Sequence, residues 1–146
     1  MNVDYPSLNF SLQVPLLLRQ EEGKTWIFDE VRKKYVVLTP EEWVRQHLIL
    51  HLIGLGYSPS LMVVEKNIVV NRMKKKVDVL AYNRDMRPFL LVECKAFHTP
   101  LNEQAIRQVY RYHYGIGASY VAITNGIKHF IVQGNRVILH NFPPWC

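Results

Sequence analysis

Several features that define other classes of protein are scarce or missing in this sequence. Only two cysteines occur among its 146 residues, too few for the disulfide framework of a small secreted domain or for a cysteine-based zinc site. No apolar run approaches the roughly 20 residues that a membrane-spanning helix requires, and the amino terminus lacks the basic, apolar, small-residue order of a signal peptide. We therefore expect reduced thiols, a cytoplasmic location and no membrane partner.

Internal repeats, low-complexity tracts and long linkers are also missing, which predicts one domain over residues 1–146. Its core is expected at about 39–126, with a β arm at 1–38 and a hairpin at 127–146. Hydrophobic residues make up 49% of the chain, enough for a packed core and too many for a disordered segment. The net charge of +6 attracts polyanions such as nucleic acid, although many basic proteins bind none.

The apolar spacing predicts two helices that interrupt a series of strands. Thr39, Pro40 and Glu42 have the order of an N-cap, a first helical residue and a capping-box acid, so a helix is predicted to begin there. A second helix is predicted over residues 101–114. Strands are predicted over residues 25–29, 34–38, 61–70, 77–82, 89–94, 119–124, 127–132 and 136–140. This order is typical of an α/β domain with a central mixed sheet flanked by helices.

Two acids lie at the ends of one predicted hairpin, Asp78 at the start of its first strand and Glu93 near the end of its second. Pairing that is symmetric about the turn would set Tyr82 opposite Phe89 and Asp78 opposite Glu93. Directly opposite side chains lie about 5 Å apart at Cβ, and two anions at that distance repel unless a cation lies between them. The pair is a candidate Mg²⁺ site. The alternative is an ion-pair network in which Lys95 and an arginine neutralise the acids.

Period-two alternation places Glu93 and Lys95 on one face of the second strand, while Cys94 points into the core. An ammonium group beside a metal-bound carboxylate can hold a water or stabilise charge on a phosphate. Phosphodiester hydrolysis fits this set of groups.

The order Asp78, fourteen residues, Glu93-Cys94-Lys95 resembles the Asp…Glu-x-Lys signature of the PD-(D/E)XK nuclease superfamily. With further matches it looks like the N-terminal nuclease domain of type I restriction enzyme R subunits, and the resemblance covers about residues 25–130. The matches are segments 39–46, 63–65, 74–78, 91–95 and 123–126 together with Gln108-x-x-x-Tyr112. The resemblance implies a restriction-endonuclease-like core with added β-hairpins at both ends. It also implies a Mg²⁺-dependent DNA endonuclease that accepts Mn²⁺ as a substitute.

The same resemblance implies a role for each matching residue in the catalytic centre. Asp78 and Glu93 would be metal ligands, and the Cys94 carbonyl would add a third oxygen. Lys95 would orient or activate the attacking water. Glu42 would be the acid that the first helix supplies, although a capping box alone accounts for a glutamate at that position.

Further residues match positions near the metal or the DNA backbone. Gln108, counted with the catalytic residues, shares a helix face with Tyr112, and the alternative is a polar helix edge with a core aromatic. Glu65 lies on the strand before Asp78 and could reach the site, or it is a partly exposed strand acid. The expected nucleic-acid-binding residues are Lys74, Lys75, Lys76, Arg111 and Tyr112, with a solvated charge run as the alternative for the lysines.

The expected partners are DNA, the methyltransferase and specificity subunits of a restriction system, and a second copy of the chain, because cleavage of both strands usually needs two active sites. No Gly-x-x-x-x-Gly-Lys-Ser/Thr segment occurs, so no ATP site is expected. Two rival functions stay open. One is a non-catalytic nucleic-acid-binding module, or a remnant of a restriction system that needs partner subunits. The other is an interaction domain in which Asp78, Glu93 and Lys95 only form ion pairs.

Overall fold

Two helices and nine strands form in the part of the chain that the structure, a computed structural model, describes, which is residues 4–134 and 137–146. The elements are β1 (Leu18–Glu21), β2 (Lys24–Asp29), β3 (Lys34–Val37), α1 (Pro40–Gly54), β4 (Met62–Val70), β5 (Met73–Tyr82), β6 (Pro88–Cys94), α2 (Glu103–Tyr112), β7 (Tyr120–Thr124), β8 (His129–Gln133) and β9 (Val137–Leu139). Their order agrees with the prediction, and β1 is an additional strand. The last predicted strand begins at residue 136, which lies outside the described residues.

The strands belong to two sheets. Strands β1, β2 and β3 form a small antiparallel sheet, and β4 to β9 form a six-stranded sheet in sequence order. Neighbours in the larger sheet are antiparallel except for β6 and β7, which are parallel. A parallel pair requires a crossover connection, and α2 lies in that connection. The predicted α/β class with a central mixed sheet is confirmed.

Each face of the larger sheet carries its own apolar cluster. Leu48 of α1 and Val92 of β6 belong to one cluster, which we call the α1-side cluster. Ile106 of α2 and Leu91 of β6 belong to the other, the α2-side cluster. Strand β6 is therefore buried on both faces, which explains why its sequence is almost continuously apolar.

Helix α1 begins as the sequence predicts and is buried on more than one side. The Glu42 N–H donates to Thr39 Oγ1 at 3.0 Å, and Pro40 is the first helical residue. The helix contacts β6 of the larger sheet and β2 of the smaller one. Because it lies between two sheets, even its polar residues Arg45 and Gln46 are buried. Neither helix in the described ranges is long and apolar enough to cross a membrane.

The N-terminal arm, residues 4–17, fastens α1 to the turn between β7 and β8. The Trp43 Nε1–H donates to the Pro6 carbonyl at 3.0 Å, and the Ser11 N–H donates to His51 Nδ1 at 3.1 Å. The Asn9 N–H donates to the Gly126 carbonyl at 2.7 Å. The arm is thus held by specific hydrogen bonds to both elements.

Candidate metal centre

The register of the β5–β6 hairpin determines where its acids lie. Val79 pairs with Val92 and Leu80 with Leu91, as symmetric pairing predicts. The predicted pairing of Tyr82 with Phe89 is wrong, because a bulge between Ala81 and Tyr82 shifts the register and sets Tyr82 opposite Pro88. The bulge lies near the turn, and the pairs from Ala81–Leu90 to Val79–Val92 keep the predicted register.

The alternation of side chains along β5 is interrupted at Asp78. Val77 belongs to the α2-side cluster and Val79 to the α1-side cluster, although residues two apart in a regular strand share a face. On β4, Val64 pairs with Val79 and Lys66 pairs with Val77, so Glu65 lies opposite Asp78. Glu65 has φ of +52°. A non-glycine residue at positive φ departs from strand geometry. The departure lies directly across from Asp78.

Because of this interruption, the Asp78 carboxylate joins two other acids. Asp78 Oδ2 accepts the backbone N–H of Cys94 at 2.8 Å. Carboxylate oxygens of Asp78, Glu65 on β4 and Glu41 on α1 all lie within 4.8 Å of one another, and the three residues are half-buried. We call these three residues the acid triad. The sequence indicated Glu65 only as a residue that could reach the site. It did not single out Glu41.

Glu93, which symmetric pairing would set opposite Asp78, is not a member of the acid triad. Its strand neighbours Val92 and Cys94 belong to the α1-side cluster, so alternation directs Glu93 toward α2. Its Oε2 lies 3.1 Å from Lys95 Nζ. The Cys94 side chain is buried in the core, as expected, and burial raises the pKa of its thiol.

Arg45 is the central cation of the site and is only 2% exposed. Its Nη2 lies 2.6 Å from Glu41 and 2.7 Å from Glu65, and its Nη1 contacts Glu42. Burial lowers the pKa of Arg45, but the surrounding negative charges raise it by more than burial lowers it, so the guanidinium stays charged. One arginine therefore orients several carboxylates at once.

The ion-pair network around the triad carries more negative than positive charge. Arg32 pairs with Asp29 at 2.7 Å and with Glu42 at 2.9 Å, and Lys76 pairs with Glu65 at 2.7 Å. With Arg45 these are three cations, set against five carboxylates among the described residues, so two negative charges remain. The carboxylates are Asp29, Glu41, Glu42, Glu65 and Asp78.

The surplus negative charge affects the pKa of Asp78. Burial raises the pKa of this carboxyl to about 6, and the nearby charges of Glu41 and Glu65 add to the effect of burial. The Cys94 N–H and the Arg45 guanidinium act in the opposite direction but do not overcome it. Such a shift is typical of carboxylates crowded at a functional site.

Glu42 does not point into the triad. Its carboxylate accepts from Arg32 at 2.9 Å and from Gln46 Nε2 at 3.0 Å, and it also contacts Arg45. Glu41, one residue earlier, is the α1 acid that lies near Asp78. Its i,i+4 spacing to Arg45 is the sequence signal that could have identified it.

The basic run before Asp78 is divided between two faces of the β4–β5 hairpin. Lys76 pairs with Glu65 on the triad side. Lys75 places Nζ 3.7 Å from the centroid of the Tyr112 ring on the α2 side. Lys74 is exposed, as are Gln108 and Arg111 of α2. Tyr112 is 54% exposed, so it is not the core aromatic of the alternative interpretation.

Comparisons with known proteins agree with this geometry at the level of fold and family. Residues 40–142 match the family described as type I restriction enzyme R protein N terminus (HSDR_N). The fold is similar to the fragment structure of a putative HsdR subunit of a type I restriction enzyme from Vibrio vulnificus YJ016, with a TM-score of 0.54 and 20% identity. That similarity covers 73% of this chain and 24% of the other, so this chain spans about a quarter of that protein. A comparison with curated proteins finds no match. Because the family match covers most of the chain, the protein belongs to the family of type I restriction enzyme R protein N-terminal domains.

Proposed function

We propose that this domain hydrolyses phosphodiester bonds of DNA with Mg²⁺ as its cofactor. The observation that carries the proposal is the convergence of Glu41, Glu65 and Asp78 within 4.8 Å in a domain of this family. Catalysis of this type requires oxygen ligands for a divalent cation close to a basic group.

The residues of the triad fit Mg²⁺. Carboxylate oxygens are the hard donors that Mg²⁺ and Mn²⁺ prefer. The surrounding network has two uncompensated negative charges, which is the charge that one divalent cation neutralises. Asp78, Glu65 and Glu41 would hold the ion, and Mg²⁺ would supply Lewis-acid polarisation of the scissile phosphate.

The remaining groups position the water and the phosphate. The Cys94 N–H fixes Asp78 Oδ2 at 2.8 Å, so the carboxylate contacts the backbone of β6 one residue before Lys95. Lys95 carries three N–H donors, and Glu93 Oε2 lies 3.1 Å from its Nζ and orients the ammonium group. We propose that Lys95 holds the attacking water and stabilises the phosphate, and that Glu93 positions Lys95.

Arg45 keeps the acids in place and Lys74 draws DNA toward them. A buried guanidinium that bonds three carboxylates prevents them from separating by mutual repulsion. Lys74 is exposed on β5, four residues before Asp78, and would add positive charge where a phosphate backbone approaches. The partners that we propose are methyltransferase and specificity subunits, and a second copy of this chain that would cleave the second strand.

Cleavage of supercoiled plasmid DNA by the purified chain tests the proposal. We expect nicking in Mg²⁺ or Mn²⁺ that EDTA abolishes, and we expect Asp78→Asn and Lys95→Ala to lose about 100-fold or more of the rate. Asp85→Asn is the matched control, because Asp85 is exposed in the β5–β6 turn, at the other end of β5 from Asp78. Equal cleavage by Asp78→Asn and Asp85→Asn would contradict the proposal.

A non-catalytic nucleic-acid-binding module is the second candidate, and one observation favours it. Arg45 already neutralises part of the triad, and Glu93 pairs with Lys95, so the acids have internal partners. Calorimetric titration with Mn²⁺ separates the two functions. A site that is present in Asp85→Asn and lost in Asp78→Asn supports the nuclease, and DNA binding without any such site supports the binding module.

A further inference from the structure

A cavity lies on the other face of the β4–β5 hairpin, away from the acid triad. It has a volume of about 280 Å³ and lies between the hairpin turn and the C-terminal end of α2. Its lining includes Met73 and Lys75 from the hairpin, and Arg111, Tyr112, His113 and Tyr114 from the end of α2. We call it the hairpin pocket. Small-molecule pockets usually measure about 300–1,000 Å³, so this one suits a ligand of small size.

The rim of the hairpin pocket exposes large apolar groups. Tyr114 is 69% exposed, Met73 57% and Tyr112 54%. Three such side chains around one cavity differ from the scattered exposed apolar residues of an ordinary surface and indicate a binding site. The two tyrosine rings offer flat surfaces on which another ring can stack.

Two cations lie at the same pocket. Lys75 places its ammonium against Tyr112, 3.7 Å from the ring centroid. Arg111 precedes Tyr112 and is exposed. A ligand that satisfies both the rings and these cations must combine a flat ring with an anionic group.

A polar group in the pocket wall also lacks a partner. His113 is 2% exposed, and its Nδ1 has no hydrogen-bond partner among the described residues. Buried ring nitrogens are normally hydrogen-bonded, so an unpaired one beside a cavity indicates a partner supplied by a ligand. Burial also lowers the pKa of His113, and a neutral imidazole can pair with the edge of a nucleobase.

We infer that the hairpin pocket holds one unpaired nucleotide of a single-stranded DNA segment. This inference rests on the proposed function and adds to it a separate contact with an unpaired segment of the DNA. The base stacks on Tyr114 beside Met73, the adjoining phosphates contact Lys75 and Arg111, and His113 pairs with the base edge. A duplex does not fit, because its bases have both faces covered by neighbours in the stack.

Fluorescence anisotropy with a labelled oligothymidylate of about 12 nucleotides, in EDTA so that nothing is cleaved, tests the inference. We expect tighter binding of the single strand than of a duplex of equal length. Tyr114→Ala is expected to weaken single-strand binding by about 5- to 150-fold and to leave duplex binding unchanged. Because Tyr114 is exposed, the variant loses little packing. Met73→Ala, with Met86→Ala as its control at the opposite end of β5, provides a second variant.

The salt dependence tests the phosphate contacts. Arg111→Gln is expected to reduce the slope of log K against log salt by about 0.7, while Arg87→Gln, which removes an exposed arginine at the β5–β6 turn, leaves it unchanged. The inference is overturned if Tyr114→Ala binds the single strand as tightly as the unmodified chain, or if duplex and single strand bind equally. Asp78→Asn should bind the single strand normally, so loss of cleavage and loss of this site are distinguishable.

Discussion

Glu41 and Glu42 are adjacent on the first turn of α1, but their side chains contact different parts of the molecule. The Glu42 side chain is 12% exposed and bonds two arginines. The Glu41 side chain is 47% exposed and turns to Asp78. Consecutive helical residues point about 100° apart, so only one of them can face the acid triad while the other faces β2. The resemblance implies Glu42 as the acid from the first helix, whereas the direction of the helix brings Glu41 close to Asp78.

Replacing each acid by its amide separates the two roles. Glu41→Gln should weaken Mn²⁺ binding and change the free energy of unfolding by less than about 1 kcal/mol, as for a surface ion pair. Glu42→Gln should lower the free energy of unfolding on the order of 3 kcal/mol, because Arg32 and Arg45 lose a buried counter-ion. Urea denaturation and calorimetric titration measure these effects. Equal loss of Mn²⁺ affinity in both folded variants would contradict the assignment.

At the scale of elements, Asp29 joins the small sheet to α1. It is the last residue of β2 and is fully buried. Its carboxylate accepts the N–H groups of Val31 and Arg32 at 2.8 Å, Arg32 Nε–H at 2.7 Å and Gln46 Nε2–H at 2.9 Å. Burial alone would raise its pKa, but these bonds outweigh burial and lower the pKa. The turn after β2 therefore holds the helix that carries Glu41.

Asp29→Asn should destabilise the protein by about 2–3 kcal/mol, because an amide cannot accept all of these donors and leaves Arg32 without its closest counter-ion. Asp85→Asn, in the exposed β5–β6 turn, should change stability by less than about 0.5 kcal/mol. Thermal or urea unfolding measures both. A small effect at Asp29 would mean that the small sheet is not coupled to α1 through this residue.

At the scale of the whole molecule, histidines connect the N-terminal arm to the core. His51 accepts the Ser11 N–H, and His129 Nε2–H donates to the Asn9 carbonyl at 2.8 Å. Burial lowers the pKa of both imidazoles, and their mutual repulsion lowers that of His129 further. The unfolded chain therefore binds these protons more readily than the folded one, so the histidines stabilise the fold above about pH 6.5 and lose that contribution as pH falls.

Acidification from about pH 7.5 to 5.5 should therefore lower the free energy of unfolding through the histidines. Asp78 acts oppositely, because an acid with a raised pKa stabilises the folded state as it takes up a proton. We therefore compare Asp78→Asn with Asp78→Asn/His51→Asn by urea denaturation. Asparagine keeps an acceptor for the Ser11 N–H but does not titrate, so the double variant should lose less stability on acidification. An equal loss in both would contradict the prediction.

The features that follow from local physics could be predicted from the amino-acid sequence. The capped start of α1, the order of strands and helices and the register of β5 with β6 between Val79 and Ala81 all depend on residues close together in the chain. Capping, period-two and period-3.6 patterns act over a few residues. The additional strand β1 has no such pattern, and it pairs along its length with β2.

The composition of the acid triad depended on packing between distant segments. Glu65 reaches Asp78 because its positive φ coincides with a reversal of side-chain direction along β5, and Glu41 reaches both because α1 packs over that face of the sheet. Alternation along β5 also places the side chains of Lys75 and Lys76 on opposite faces of the sheet. Such contacts join segments far apart in the chain, and the side on which each residue lies is decided by the register and by the core that covers it. The sequence thus indicated the α/β fold and the family, and the three-dimensional arrangement brings Glu41, Glu65 and Asp78 together.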